Sequence, residues 1–357
     1  MSWLVAQADA RNLPLADGTA DLILTSPPYW GLRSYRDGGE HIEGQVGAEP
    51  SPQAYVDELV GMIDSEWRRV LKPAGSLFLV LDDKYSAVRS YQVNQSKYQG
   101  GAQATRGEDT RSMARPKSRL GLPWRIALAL IDRAWILRAE IIWAKPNGLP
   151  ESVRDRVRRS HETIFHLTLS PTYYSAVDEI REPYRTATDE RGAFLDLYGR
   201  TPSQKRPDIA NTWQDDAPSR GHSQSGLAQN TDRFASPLGR LPGSVWTITS
   251  SPLIVPDQAK QHYRLPDHFA AYPPELCRRI ILGWSPRGGR VVDPFCGTGT
   301  TVGVAHHLGR QGLGVDLSAD YCRLARWRIE SGHFARAEDQ TWADRQEPLP
   351  HTLPNPT

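Results

Sequence analysis

The amino-acid sequence predicts an α/β fold: a doubly wound, mostly parallel sheet with one antiparallel hairpin and a long insertion. Three observations carry this. Short apolar runs such as Asp21–Leu24 and Ser76–Leu81 have the unbroken hydrophobicity of strands buried on both faces. Stretches of helical spacing lie between such runs, so helix, tight turn and strand follow one another as in crossovers. Between residues 180 and 245 the alternation stops, and Arg, Asp, Pro, Ser and Gln replace periodic apolar residues.

Taken in order, Leu4-Val5-Ala6 reads as a first strand with Asp9 at its end, and Asp21–Leu24 as a second. Trp30 to Arg36 is polar and aromatic and runs into a Gly-rich stretch; its Arg33 and Arg36 are candidates to grip a nucleic-acid backbone. Tyr55 to Leu71 is a helix by the spacing of Leu59, Ile63, Trp67 and Val70, and Lys72-Pro73-Ala74-Gly75 stops it. Ser76–Leu81 is the next strand, closed by Asp82-Asp83. Tyr85 to Arg119 then turns basic, with Arg111, Arg115 and Lys117 among seven cations facing only Glu108 and Asp109. Such a segment orders against phosphates. Leu122 to Ala134 is a helix, Trp135 to Trp143 a strand, and His161–Leu167 its antiparallel hairpin partner. His161-Glu162 lacks a second histidine at metal spacing, so no zinc site is expected. The insertion, centred on Arg220, is the candidate for reading a DNA sequence. Val245–Ile248 restores order, and Pro274 opens a helix carrying Leu276, Ile280, Ile281 and Trp284.

Thr25-Ser26-Pro27-Pro28-Tyr29-Trp30 ends the second strand. Two prolines cannot continue a ladder, and they push Ser26 out of the α region. The strand must close in a stiff corner at its carboxyl end, where open α/β sheets bind ligands. An exocyclic amine is a poor nucleophile because its lone pair is delocalised into the ring. A Ser26 oxygen and the Pro27 carbonyl, accepting from its hydrogens, would favour a tetrahedral nitrogen aimed at a methyl donor. Tyr29 would stack on a base flipped from the duplex.

Gly289–Asp293 is a further strand, followed by Pro294-Phe295-Cys296-Gly297-Thr298-Gly299-Thr300-Thr301 and a helix from Val302 to Leu308. A second strand, Gly312–Asp316, ends in an acid about 20 residues on, the fingerprint of a dinucleotide-type site. A helix from Tyr321 to Ile329 follows. Asp316 can accept from two ribose hydroxyls. Asp293 brings a negative charge that suits an ammonium group and disfavours a pyrophosphate. S-adenosyl-L-methionine fits both features. Cys296 offers an alternative, covalent attack on the base, but it sits inside the cofactor turn.

The 357 residues allow one large α/β domain with an insertion, or two domains, and the net charge of +2 gives no global field for nucleic acid. Cys277, Cys296 and Cys322 form neither a CxxC pair nor an even set, which suggests a reducing, cytoplasmic setting. No signal peptide or membrane span is visible.

Together, Thr25–Trp30 and Asp293–Thr301 resemble the beta group of amino-methylating DNA methyltransferases, in which the catalytic segment precedes the cofactor segment. The resemblance covers Trp3–Asp83, Leu122–Ser170 and His268–Ile329. It implies a Rossmann-like S-adenosylmethionine-dependent methyltransferase fold in which Ser26, Pro27, Pro28 and Tyr29 hold the target base. Thr25, Asp293, Pro294, Phe295, Gly297, Thr298, Gly299, Thr300 and Thr301 would surround the cofactor methionine. Asp316 would take its ribose, Asp9 would face its adenine, and Phe269 and Pro273 would close over it. Residues 1–84 and 120–179 would form the catalytic half and 85–119 a flexible DNA-contacting loop. Residues 180–245 would form the target-recognition region, 246–335 the cofactor half and 336–357 a flexible tail. Ser-Pro-Pro-Tyr mostly accompanies cytosine N4 in the family and Asp-Pro-Pro-Tyr adenine N6. The expected partner is double-stranded DNA; the family also suggests a homodimer and a separately acting restriction endonuclease. The expected reaction is therefore methylation of cytosine N4, with adenine N6 as the rival of the same class and a non-catalytic DNA-binding protein or an RNA methyltransferase as rivals of other classes.

Overall fold

The computed structural model describes residues 2–32, 36–37, 40–86, 115–148, 150–182, 238–250, 253–263 and 271–332. The chain divides into two compact units, Met1–Ala176 with Gly243–Thr357, and Val177–Pro242.

In the first unit the strands are β1 (Trp3–Gln7), β2 (Ala20–Thr25), the small pair β3 (Arg36–Asp37) and β4 (Glu40–His41), β5 (Leu71–Leu81), β6 (Ile136–Ala144), β7 (His161–Thr168), β8 (Val245–Thr247), β9 (Arg290–Asp293) and β10 (Gln311–Asp316). All but β3 and β4 form one sheet, in the order β1-β10-β9-β2-β5-β7-β6-β8. Every pairing in it is parallel except those of β7, which runs against both β5 and β6. The expected antiparallel hairpin is therefore β6–β7.

The helices are α1 (Pro52–Met62), continued through a π-helical turn, Ile63–Trp67, into α2 (Arg68–Val70), then α3 (Leu122–Ile131), α4 (Asp257–Tyr263), α5 (Pro274–Trp284), α6 (Thr300–His307) and α7 (Ala319–Glu330). Alternation along β5 shows why both faces are covered. Leu77, Leu79 and Leu81 join a core with Leu59, Ile63 and Trp67 from the α1 stretch and Ile126 and Leu130 of α3. Phe78 points the other way, onto Trp284 of α5, with ring centroids 4.7 Å apart. Each such side chain stabilises by roughly 1.5–3 kcal/mol, and a one-residue slip would reverse them all. His166 stacks on Phe78 at 4.3 Å, and its Nε2 lies 3.0 Å from the Ser76 hydroxyl. Burial brings it down to about 3, so it stays neutral.

The expected stop at Lys72–Gly75 lies inside β5. Leu71 pairs with Ala20 and Ser76 with Leu22, so residues 72–75 bulge out opposite Asp21 alone. Pro73 has no N–H to lose there. The β3–β4 pair and α4 had no periodic signal.

All the parallel strands end at one edge, and antiparallel β7 begins there. Ala144 pairs with His161 and Leu81 with Thr163, which brings Glu162 beside the ends of β5 and β6. In the second unit Val177–Ile180 forms a 3-10 turn. Glu182 and Arg240 exchange backbone hydrogen bonds of 3.0 and 2.9 Å and an ion pair of 2.6 Å. Most of the insertion, like the 336–357 tail, lies outside the described residues.

Candidate active site

Local chemistry holds the corner after β2 in shape. Tyr55 of α1 donates to the Pro28 carbonyl at 3.1 Å, the Trp30 indole N–H donates to the Glu49 carbonyl at 2.9 Å, and Gly31 N–H donates to the Gly47 carbonyl at 2.8 Å. Ser26, Pro27, Pro28 and Tyr29 thus line a cleft of about 720 Å³ along the carboxyl edge of the sheet. Inside it, Ser26 donates to the Tyr29 oxygen at 3.1 Å, and Tyr29 donates to Glu162 Oε2 at 2.8 Å. Glu162 is ion-paired with Lys145, whose ammonium lies 4.1 Å from the centre of the Trp143 ring. Burial and then the Glu162 charge push the Tyr29 phenol well above its ordinary range, so its proton stays. The consequence falls on Ser26. With its hydrogen directed to Tyr29, its oxygen is left to accept.

Asp82, at the end of β5, also lines the cleft and pairs with Arg159 at 2.9 Å. Burial and the Glu162 charge push its carboxyl up to about 6 against the pull of Arg159. The folded state therefore favours protonated Asp82, and this contribution to stability is lost as pH rises from about 4 through about 6. Asp82→Asn is expected to stabilise the fold at pH 7.5 by about 1–3 kcal/mol, with the gain shrinking toward pH 4. Urea unfolding across that range measures it; a gain independent of pH would show another cause.

The second half of the cleft is the turn after β9. Asp293 is 1% exposed and accepts from Thr25 Oγ1 at 2.7 Å, Thr301 Oγ1 at 2.7 Å, Tyr272 OH at 2.9 Å and Phe295 N–H at 3.1 Å. Burial raises its carboxyl despite these donors. Asp316 accepts from Gly297 N–H at 3.0 Å and Ser318 N–H at 2.9 Å, and burial pushes it up to about 6. Arg328 of α7, itself buried, donates to the Thr298 and Thr300 hydroxyls at 2.8 and 2.6 Å, and burial brings it down to about 10. Gly299 has φ +75°, and a Cβ there would lie 2.9 Å from that of Ala325, so the turn packs on α7 only as glycine. Asp37 of β3 accepts from Ser318 Oγ and Asp320 N–H, each at 3.1 Å, tying the segment after the corner to the start of α7.

Among the expected residues, the cleft brings together Ser26, Pro27, Pro28, Tyr29, Phe295, Gly297, Thr298, Thr300 and Asp316. Thr25, Asp293 and Thr301 are buried and joined by hydrogen bonds. Asp9 accepts from Arg11 N–H at 2.9 Å and pairs with its guanidinium at 3.2 Å, and it does not line the cleft. Pro294 is buried, and Pro273 is the buried N-cap of α5. Arg115 is exposed, and Lys117 pairs at the surface with Asp155 at 2.7 Å. Of Arg36 only the backbone is described, in β3; Arg33, Arg111, Arg220 and Phe269 lie outside the described residues. Sequence reading gave no role to Glu162, Lys145, Asp82, Arg159 or Arg328. Cys296 lines the cleft, but burial and the Asp316 and Asp293 charges push its thiol far up, away from a nucleophilic thiolate.

S-adenosyl-L-methionine fits these residues. The cleft runs from the glycine turn, backed by the Asp293 carboxylate, to Asp316, whose carboxylate is anchored by two backbone N–H groups at the rim. When bound, this cofactor supplies an electrophilic methyl group.

Comparison with known proteins agrees. The model of the N6/N4 methyltransferases, described as DNA methylase, matches residues 20–326, both halves of the cleft included. The chain is 35% identical over 310 residues to the type II methyltransferase M.SmaI of Serratia marcescens, covering 87% of this chain and 84% of that one. It is 33% identical over 321 residues to M.Cfr9I of Citrobacter freundii, covering 90% and 84%. The Pvu II DNA methyltransferase, cytosine-N4-specific, shares the fold, with a TM-score of 0.58 at 16% identity over 97% of this chain and 92% of that one. The chain belongs to the N6/N4 DNA methylase family and is a type II DNA methyltransferase that uses S-adenosyl-L-methionine.

Proposed function

We propose that the amine methylated is N4 of a cytosine flipped out of double-stranded DNA, in the setting of restriction and modification. The observation that carries this reading is the run of donations from Ser26 to Tyr29 to Glu162, which leaves the Ser26 oxygen as an acceptor in the cleft. With the Pro27 carbonyl as second acceptor, it draws on the amine hydrogens and turns the nitrogen lone pair toward the methyl group. Ser-Pro-Pro-Tyr, in place of Asp-Pro-Pro-Tyr, supports cytosine over adenine. Asp316 would hold the ribose. The turn from Asp293 to Thr301 would hold the methionine part.

For DNA, Arg115 and Lys117 would meet phosphates, joined by the exposed Arg154 and Arg158. Residues 180–245 would choose the site.

Duplex DNA incubated with the protein and methyl-labelled S-adenosyl-L-methionine, digested to nucleosides and analysed by mass spectrometry, decides the base. Label in N4-methylcytosine is expected. Label in N6-methyladenine would overturn the base assignment and keep the family. No label, together with no binding of the cofactor, would point to a DNA-binding protein without catalysis.

A further inference from the structure

The transferred methyl group leaves a proton behind, and the cleft contains a path for it. Ser26, Tyr29 and Glu162 form an unbroken chain of hydrogen bonds, 3.1 and 2.8 Å long, that starts at the proposed acceptor of the amine and ends on a carboxylate. Glu162 is 12% exposed and lines the cleft. Lys145 holds it from the end of β6, and Asp82, paired with Arg159, faces it from the end of β5. Asp82 is occupied by Arg159 and bonds to neither hydroxyl of the chain among the described contacts.

We infer that the proton released by the amine leaves through Ser26 and Tyr29 to Glu162, and that Lys145 positions that carboxylate to receive it. The inference rests on the reading of function above. The nitrogen becomes cationic as it bonds the methyl carbon, whose bond to sulfur breaks. One N–H bond then breaks, and its proton goes to the Ser26 oxygen. The Ser26 proton passes to the Tyr29 oxygen, and the Tyr29 proton passes to Glu162. Each hydroxyl gains one proton and loses one, so the net products are a neutral methylated amine and a neutral Glu162. The carboxyl group then gives its proton to water through the cleft. Neither hydroxyl has to exist as an anion, which suits a phenol whose ionisation burial opposes.

The experiment compares the parent with Glu162→Gln and Tyr29→Phe in single turnovers on prebound duplex, across pH and with added formate. Glu162→Gln keeps the shape and removes the acceptor. Tyr29→Phe keeps the Glu162–Lys145 pair and cuts the chain. Both should lower the rate by about 10²-fold. Cofactor affinity should be unchanged, and the fall of the parent rate toward acid pH should flatten in Glu162→Gln. Formate should restore part of the rate of Glu162→Ala, whose truncated side chain leaves room for it, in proportion to its concentration. Parent-like rates in either variant would overturn the relay. So would a slow Glu162→Gln that keeps the parent pH profile beside a Glu162→Ala that ignores formate, since that would be a structural effect. A parent that labels no amine sinks the functional reading first and the relay with it.

Discussion

Ser26→Ala should lower the single-turnover rate of methyl transfer by about 10²–10³-fold, the usual cost of removing one preorganised partner from a reacting group. The Ser26 oxygen has a double constraint. Its hydrogen is directed to Tyr29, and Tyr29 is in turn committed to Glu162. Its remaining lone pairs therefore meet the amine with no rotation needed as charge develops on nitrogen. That interaction strengthens only as the nitrogen becomes tetrahedral, so its loss should appear in kcat and leave ground-state binding alone. Rapid-quench measurements with saturating DNA and cofactor, beside binding titrations of each, separate the two. A rate within about threefold of the parent, worth less than about 1 kcal/mol, would assign the acceptor role elsewhere.

Asp293→Ala should cost about 3–5 kcal/mol of folding stability, a drop in Tm on the order of 10 °C. The carboxylate gathers the Thr25, Thr301 and Tyr272 hydroxyls and the Phe295 N–H in a space with almost no solvent access. Each buried donor left without a partner costs about 1–3 kcal/mol. The sum falls short of four full penalties because Tyr272 and Thr301 still bond each other. Asp293→Asn keeps an acceptor oxygen and should lose about half as much. Differential scanning calorimetry reads both. A loss below about 1 kcal/mol for alanine would mean that the site collapses or hydrates easily around the gap. Cofactor affinity should fall as well, because this residue shapes the glycine turn.

Much of this architecture was legible in the chain, for reasons particular residues make plain. Leu22–Leu24 and Leu77–Leu81 announce buried strands because both faces of the sheet are covered. The prolines at 27 and 28 and the glycines at 297 and 299 announce turns because few other residues permit those backbones. Glu162 gave no such signal. It stands near the start of a strand, and only antiparallel β7 carries that start to the edge where the other strands finish. Lys145 and Asp82 read as ordinary strand-end polar residues, and their meaning comes from facing one another. Arg328 lies in a helix whose sequence reads as amphipathic, yet its side chain is buried against the cofactor turn. Asp9 shows the opposite difference, since a nearby arginine, invisible as a partner in the sequence pattern, takes its carboxylate.

The order β1-β10-β9-β2 has a consequence for biosynthesis. The first two strands off the ribosome are not neighbours; the last two must slide between them. Thr25 waits for an aspartate 268 residues downstream before its hydroxyl has its partner. A nascent chain therefore holds its catalytic corner long before it holds anything to methylate with, and the gap between β1 and β2 closes last. Pairings this distant in sequence form slowly, because chain closure must come before its reward. Translation stalled anywhere before β9 yields a protein with half a sheet and an open hydrophobic seam, material for a protease and not for DNA.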